Sequence, residues 1–337
     1  AVAAGRAVQT LARLRGGKCS GAPGVVANRI APGLLPSVLG SFPDGLIVVS
    51  GTAGKSTTTK MLAALLRAHG VRVFTNSSTA NLPQGITSAI LDQGDARGRI
   101  DADIAVIEMD EAHGARLAPQ FTARAVVLTN VMLDDLERFQ TMDRVAQMLG
   151  EIAERATELV VVNADDASLD AIAGSTSARG VTVGRYGVGQ GVLDEQPHGL
   201  GYARVADARL TPADGCLVVD VDGEHAELQL AGHGIEIDLP SRGTHFAVDA
   251  AAALETARLL LGERFAPATA VAAMNAVEPV FGRGETVTID GQQIDFVLVQ
   301  NTASFQLNLD VVGGSHELLF LAIGEEEHDP SWLWTVH

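Results

Sequence analysis

The chain is short of basic charge, of cysteine and of lysine, and each shortage removes a class of function. Lysine and arginine total 24 against 41 aspartates and glutamates, a net charge of −17. A nucleic-acid binder needs a basic footprint to neutralise phosphates, so no nucleic-acid partner is expected. Cysteine occurs only at Cys19 and Cys216. That usage fits a reducing cytoplasm and excludes a four-cysteine site, so no zinc site is expected. Lysine occurs only at Lys18, Lys55 and Lys60, so no later lysine serves in catalysis. No uncharged apolar run reaches the roughly 18 residues of a membrane span, and none is expected. The start, Ala1 to Val8, carries Arg6 and no cleavage signal. It reads as an amphipathic helix rather than a signal peptide, and the absent initiator methionine suggests a trimmed start. What remains is abundant apolar material, 47% of 337 residues, enough for two or three domains with their own cores.

The most informative stretch is Leu46-Ile47-Val48-Val49-Ser50-Gly51-Thr52-Ala53-Gly54-Lys55-Ser56-Thr57-Thr58-Thr59. Four apolar residues in a row suit a strand buried on both faces. Gly51 and Gly54 let the backbone turn tightly so that amide N–H groups converge on one anion. The helix that follows adds its positive N-terminal dipole. Lys55 can reach terminal phosphates, and a hydroxyl at Ser56 or Thr57 can hold Mg²⁺. The loop is a short form, because Val49 stands where the longer phosphate loop has its first glycine.

Strands expected at 46–50, 71–75, 103–108, 125–129 and 158–162 alternate with helices at 55–69, 83–93 and 142–156. This alternation predicts a parallel, doubly wound sheet whose ligands bind at the strands' carboxyl ends. Residues 2–15 read as a helix, and 20–45 as a Gly- and Pro-rich lead-in. Short alternating runs over 181–240, with Asp222-Gly223 between two of them, predict a β insertion containing a hairpin. Helices follow at 245–262 and 266–276. A smaller C-terminal α/β domain is expected over 281–337, with strands at 286–290, 295–299 and 317–323 around a helix at 303–311. It stops in mid-element and is expected to be incomplete. The division is therefore 1–45, 46–280 and 281–337.

The strand Asp103 to Ile107 ends in Glu108, the first candidate for a second Mg²⁺ anchor, with Asp110 and Glu111 behind it. Asp110-Glu111-Ala112-His113 spells a helicase box, but the short loop and the acidic, aromatic-poor composition make that a coincidence. Thr129-Asn130, with Asp134 and Asp135 following, and Asn163-Ala164-Asp165-Asp166 are polar strand ends. They line a ligand crevice or merely form turns and caps. Gly17-Lys18-Cys19-Ser20-Gly21 has the spacing of a nucleophile elbow but lacks the preceding buried strand, so Cys19 is not taken as a nucleophile.

These pieces resemble the Mur ligase superfamily, whose loop is usually Gly-Thr-Asn-Gly-Lys-Thr-Thr, and within it the MurT family. The likeness spans nearly the whole chain. It includes Gly51 to Thr58, Thr75-Asn76-Ser77, Asn81 to Ile86, Glu108 to Ala112, Thr129-Asn130, Asn163 to Asp166 and Phe281-Gly282-Arg283-Gly284-Glu285. It continues through Val299 to Phe305 and Asp329-Pro330-Ser331-Trp332-Leu333-Trp334. Departures occur at Ala53, where the superfamily has Asn, and at His245 to Asp249, where a Tyr-Asn-x-Tyr-Asn near the adenine is usual. Gln300 replaces a usual Lys, and the acidic stretch Gly324 to His328 replaces an Asn-Asp-Asn segment.

The resemblance implies a cytoplasmic ATP- and Mg²⁺-dependent ligase. It would amidate the α-carboxylate of D-glutamate in the lipid II stem peptide, through an acyl phosphate, with ammonia from a partner glutaminase of the GatD type. Gly51, Thr52, Gly54, Lys55, Ser56, Thr57, Asn130 and Arg283 would bind nucleotide. Ser56 or Thr57 with Glu108 would hold Mg²⁺. Lys55 and Glu108 would act in catalysis, and Asp329 would orient the partner's catalytic histidine. Two alternatives are another Mur-type amide ligase and a degenerate ATP-binding scaffold for a glutaminase. Ala53, Asp249 and Gln300 motivate the last.

Overall fold

The computed structural model describes residues 1–14, 21–76, 80–132, 141–196, 198–202, 210–211, 214–280, 283–299, 302–312 and 318–322. Nine strands form the main sheet: β1 (Leu46–Ser50), β2 (Val73–Thr75), β3 (Ile104–Glu108), β4 (Ala123–Leu128), β5 (Ala156–Asn163), β6 (Thr182–Val188), β7 (Cys216–Asp222), β8 (His225–Leu230) and β9 (His233–Asp238). Their order is β2-β3-β1-β4-β5-β6-β7-β8-β9. Pairing is parallel from β2 through β7 and antiparallel for β7–β8 and β8–β9. The expected mixed α/β class with a mostly parallel sheet is what the chain forms.

Helices cover both faces, in chain order α1 (Val2–Leu14), α2 (Ala22–Ile30), α3 (Leu34–Leu39), α4 (Lys55–Ala68), α5 (Pro83–Gln93), α6 (Glu111–Leu117), α7 (Met142–Ala153), α8 (Asp170–Ala178), α9 (Gln190–Asp194), α10 (Thr244–Leu261), α11 (Pro267–Asn275) and α12 (Thr302–Val312). Alternate residues of β1 serve the two cores. Ile47 and Val49 join α4, α10 and α11, while Leu46 and Val48 join α3, α5, α6, α7 and α8. A strand covered on both faces must be apolar at every position, which is why Leu46 to Val49 reads as an unbroken run. In α10, Ala250 to Ala253 are fully buried, and these small side chains let the helix sit close against α4, β6 and β7.

Two expectations need correction. The lead-in at 20–45 is helical, holding α2 and α3, and α2 packs on α5. Proline at the first turn of α2 costs no hydrogen bond there, so a Pro-containing segment can still be a helix. The β-rich stretch expected at 181–240 does form, as a continuation of the main sheet. β6 pairs with β5, β7 pairs with β6, and the ladder runs on into β8 and β9. The hairpin at Asp222-Gly223 does form, with Asp222 opposite His225. Residues 318–322 carry no regular structure, against an expected strand over 317–323. The other two C-terminal strands pair as a hairpin, β10 (Arg283–Ile289) with β11 (Gln292–Val297).

Candidate functional site

β1 lies between β3 and β4, so the chain order reverses beside it and its carboxyl end opens a crevice. The phosphate loop leaves β1 there. Gly51 has φ 135°, and a Cβ on it would lie 2.1 Å from Thr129 Oγ1. Gly54 has φ 81°, and its Cβ would lie 2.2 Å from Asp249 Oδ1 on α10. Neither position admits a side chain, so the loop backbone is bare toward the crevice. Its shape is held from the β4 side. Thr52 N donates to Asn130 O at 3.0 Å, and Ala53 N donates to Asn130 Oδ1 at 2.9 Å. Asn130 Nδ2 donates back to Ala53 O at 3.2 Å, and Met132 N donates to Thr52 Oγ1 at 3.0 Å. Asn130 is thus the brace of the loop. The bracing uses only the backbone of Ala53, so the missing asparagine side chain leaves the loop's form intact.

Lys55 opens α4 and folds back over the loop. Its Nζ donates to Thr52 O at 2.8 Å, to Gly51 O and to Glu111 Oε2 at 3.2 Å. Ser56 Oγ donates to Glu108 Oε2 at 2.8 Å. Glu108 is buried, and Asn81 reaches its other oxygen at 3.4 Å. Asn76 ties the end of β3 down, accepting from Glu108 N and donating to Glu108 O, both at 3.0 Å. Burial pushes the Glu111 carboxyl above its ordinary range, with Lys55 pulling the other way. Of the two hydroxyls considered from sequence, Ser56 is the one bonded to Glu108, and Thr57 is buried beside it on α4.

Other sequence candidates resolve into structure. Asp110 caps α6, accepting from His113 N at 3.0 Å and pairing with His113 Nδ1 at 2.8 Å. Asp166 accepts from Val131 N at 2.6 Å and from Ser168 N at 2.9 Å, tying the segment after β4 to the segment after β5. Asp165 accepts from Val188 N at 2.7 Å, joining the ends of β5 and β6. These acids brace the rim of the crevice. Arg283 begins β10, and its side chain lies outside what is described, as do Cys19, Asp134, Asp135, Phe281, Gln300, Gly324 to His328 and Asp329.

Two clefts flank the loop. One, of about 240 Å³, is lined by Ser56, Lys60, Arg67, Asn76, Glu108 and Pro279. Lys60 bridges across it to the carbonyls of Glu278 and Pro279. The other, of about 70 Å³, is lined by Ala53, Asn130, Met132, Tyr202, His245 and Asp249. The sequence assigns no role to Asp249 or Asn81, and Glu111, a reserve Mg²⁺ candidate there, pairs instead with Lys55. Their signal was weak, because each meets its partner only across the fold.

The residues fit a nucleotide and Mg²⁺. A loop with no Cβ at two positions, a lysine and a helix N-terminus form a cradle for phosphates. One hydroxyl and one carboxylate are the sparse oxygen ligands that Mg²⁺ takes while keeping most of its water. Among the described residues no group of three or more His, Cys, Asp and Glu could hold a metal ion on its own.

Comparison with known proteins places these features. Residues 49–257 match the Mur ligase middle domain. The chain is 31% identical over 144 residues to the subunit MurT of lipid II isoglutaminyl synthase (glutamine-hydrolyzing) from Staphylococcus aureus, covering 43% of this chain and 32% of that one. It is 26% identical to the corresponding Streptococcus pneumoniae subunit, covering 94% of this chain and 76% of that one. It is 33% identical over 250 residues to the UDP-N-acetylmuramate–L-alanine ligase of Rhodococcus opacus, covering 69% of this chain and 45% of that one. The chain thus spans about a third to under a half of the first and last of these relatives. In fold it is similar to the MurF ligase of Thermotoga maritima solved in complex with ADP. The TM-score is 0.62 at 21% identity, covering 82% of this chain and 59% of that one.

Proposed function

This chain belongs to the Mur ligases through their middle domain, and from that premise we propose that it is the ATP-dependent synthetase part of an amidating enzyme of the MurT kind. The substrate is lipid II at the inner membrane face, and the product carries D-isoglutamine in its stem peptide. The observation that carries this finer reading is a likeness to the pneumococcal MurT subunit over 94% of the chain, well past the middle domain.

The chemistry follows from the problem. Hydroxide is a poor leaving group from a carboxylate, so ATP supplies a phosphoryl group that makes one carboxylate oxygen a good one. Ammonia then forms the amide bond as phosphate leaves. The protein's work is positioning and charge neutralisation. The loop amides between Gly51 and Lys55, with the Lys55 ammonium, hold the phosphates. Thr52 and Asn130 keep the loop in shape. Ser56 and Glu108, with Thr57 next on the helix, would hold Mg²⁺, and Glu111 aims Lys55 through their 3.2 Å contact. Arg283 is assigned to nucleotide binding by its place in the Phe281-Gly282-Arg283 segment. Ammonia comes from a GatD-type glutaminase bound to this chain in the cytoplasm, and Asp329 orients that partner's catalytic histidine. The domain division at about 45 and 280 separates the binding unit from the partner-facing unit.

A second reading has its own support. Identity of 33% to an L-alanine-adding ligase over 250 residues favours an amino-acid-adding Mur ligase. Reconstitution with ATP, lipid II and either glutamine plus the glutaminase, ammonium, or free amino acids separates the two. Conversion of a carboxylic acid to a carboxamide, read by mass, supports amidation. Addition of an amino acid residue instead would refute it. ADP release with neither product would leave a nucleotide-binding scaffold.

A further inference from the structure

We propose that the layer formed by α1 and α2 is a docking surface for an anionic lipid bilayer. The helices pack against each other, and α2 packs on α5. Arg6 and Gln9 of α1 are bonded to α5 and the turn after it. Arg6 Nε donates to Leu91 O at 2.9 Å and its Nη2 donates to Gly94 O, while Gln9 donates to Asp92 at 3.2 Å. The outward stripe is Ala3, Ala7, Leu11 and Leu14, at steps of four, four and three. Leu11 is 59% exposed and Leu14 79%, and on α2 Val25 is 52% and Ile30 56% exposed. A soluble surface helix puts its apolar stripe toward the core and its polar face outward. This layer instead leaves four large apolar side chains at the surface.

Charge chooses the occupant. Residues 1–43 contain Arg6, Arg13, Arg15, Lys18 and Arg29 and no acidic residue, and all 41 carboxylate residues of a chain with net charge −17 come later. Arg29 is exposed between Val25 and Ile30. Exposed apolar side chains beside Arg29, on two helices that carry no carboxylate, match the boundary of anionic headgroups and acyl chains. The acidic remainder is repelled by such a surface, so the layer free of carboxylates is the face that meets it.

The placement also suits the site. Asn28 of α2 meets the N-terminal half of α5, accepting from Thr87 at 2.8 Å. α5 starts two residues after Asn81, which reaches Glu108. Docking by α1 and α2 would hold the crevice rim close to the bilayer, where a lipid-borne substrate lies. That last point rests on the proposed function, whereas the apolar stripe and the charge segregation stand without it.

The test is flotation of the full chain with vesicles of phosphatidylglycerol and phosphatidylethanolamine, against phosphatidylcholine vesicles, at low and high salt. The wild type should float with the anionic vesicles, less so at high salt, and not with the neutral ones. Arg29→Glu removes one attractive charge and adds a repulsive one. It should weaken binding by about 25-fold, at about fivefold per charge. Leu11→Glu with Leu14→Glu should abolish flotation while thermal melting and ATP binding stay at wild-type values. Absence of flotation with anionic vesicles, equal flotation with neutral ones, or full binding by the Leu11/Leu14 double variant would overturn the proposal. So would concentration-dependent self-association of the wild type that the double variant loses, since a second copy would then be the occupant.

Discussion

Replacing Gly54 with alanine tests whether α10 presses on the phosphate loop as the structure has it. Two costs are separable. A left-handed backbone at φ 81° costs an alanine about 1–2 kcal/mol. The added Cβ would also lie 2.2 Å from Asp249 Oδ1 and 3.0 Å from its Cγ. Asp249 is buried on α10, so its carboxylate, the loop or the helix must shift, at the about 1–3 kcal/mol typical of overpacking. Gly54→Ala should thus lose about 2–5 kcal/mol, a large share of the roughly 5–15 kcal/mol that holds a domain together. Asp249→Ala in the same chain removes the clash but not the backbone cost. A double-mutant cycle by urea denaturation should then give a coupling of about 1–3 kcal/mol, the pair being less damaged than the sum of the singles. ATP binding by calorimetry should fall in Gly54→Ala and partly recover in the pair. A coupling within about 0.5 kcal/mol of zero, the ordinary error of additivity, would mean that Asp249 does not touch the loop.

Lys55→Ala should lower ATP-dependent amidation by on the order of 10²–10³ with the fold unchanged by circular dichroism, and more than a tenth of the wild-type rate at saturating ATP would refute its role. Glu108→Gln keeps the acceptor for Ser56 but loses a hard anionic oxygen, so the Mg²⁺ titration should shift to higher concentration more than nucleotide affinity falls; superimposable titrations would make Glu108 structural. Burial raises the Glu111 carboxyl from 4.5, so its contribution to stability is complete below that value and is lost as pH rises through the folded value. Glu111→Gln, which does not titrate, should therefore show a flatter dependence of stability on pH above 4.5 in denaturation series, and identical slopes would contradict the assignment.

What could be read in the chain was local. Gly51, Gly54, Lys55 and Ser56 spell the tight turn and helix start of a phosphate-loop pattern, because backbone freedom and helix start are decided within a few residues. The apolar run Leu46 to Val49 announced a strand covered on both faces, and Asp222-Gly223 announced a hairpin, because period and turn chemistry are short-range properties. Asp110 reads equally well as cap or ligand in one dimension, and only its bond to His113 N settled it as a cap. The remaining decisions joined residues distant in sequence. Ser56 meets Glu108 across 52 positions, Ala53 meets Asn130 across 77, and Lys60 meets Pro279 across 219. Which carboxylate faces which cation, that β6 to β9 extend the main sheet, and that α1 turns its apolar stripe outward all depend on which surfaces pack together. A sequence states the pattern of each surface, but the partner of each surface is chosen by the packing of the whole chain, and only the tertiary structure records that choice.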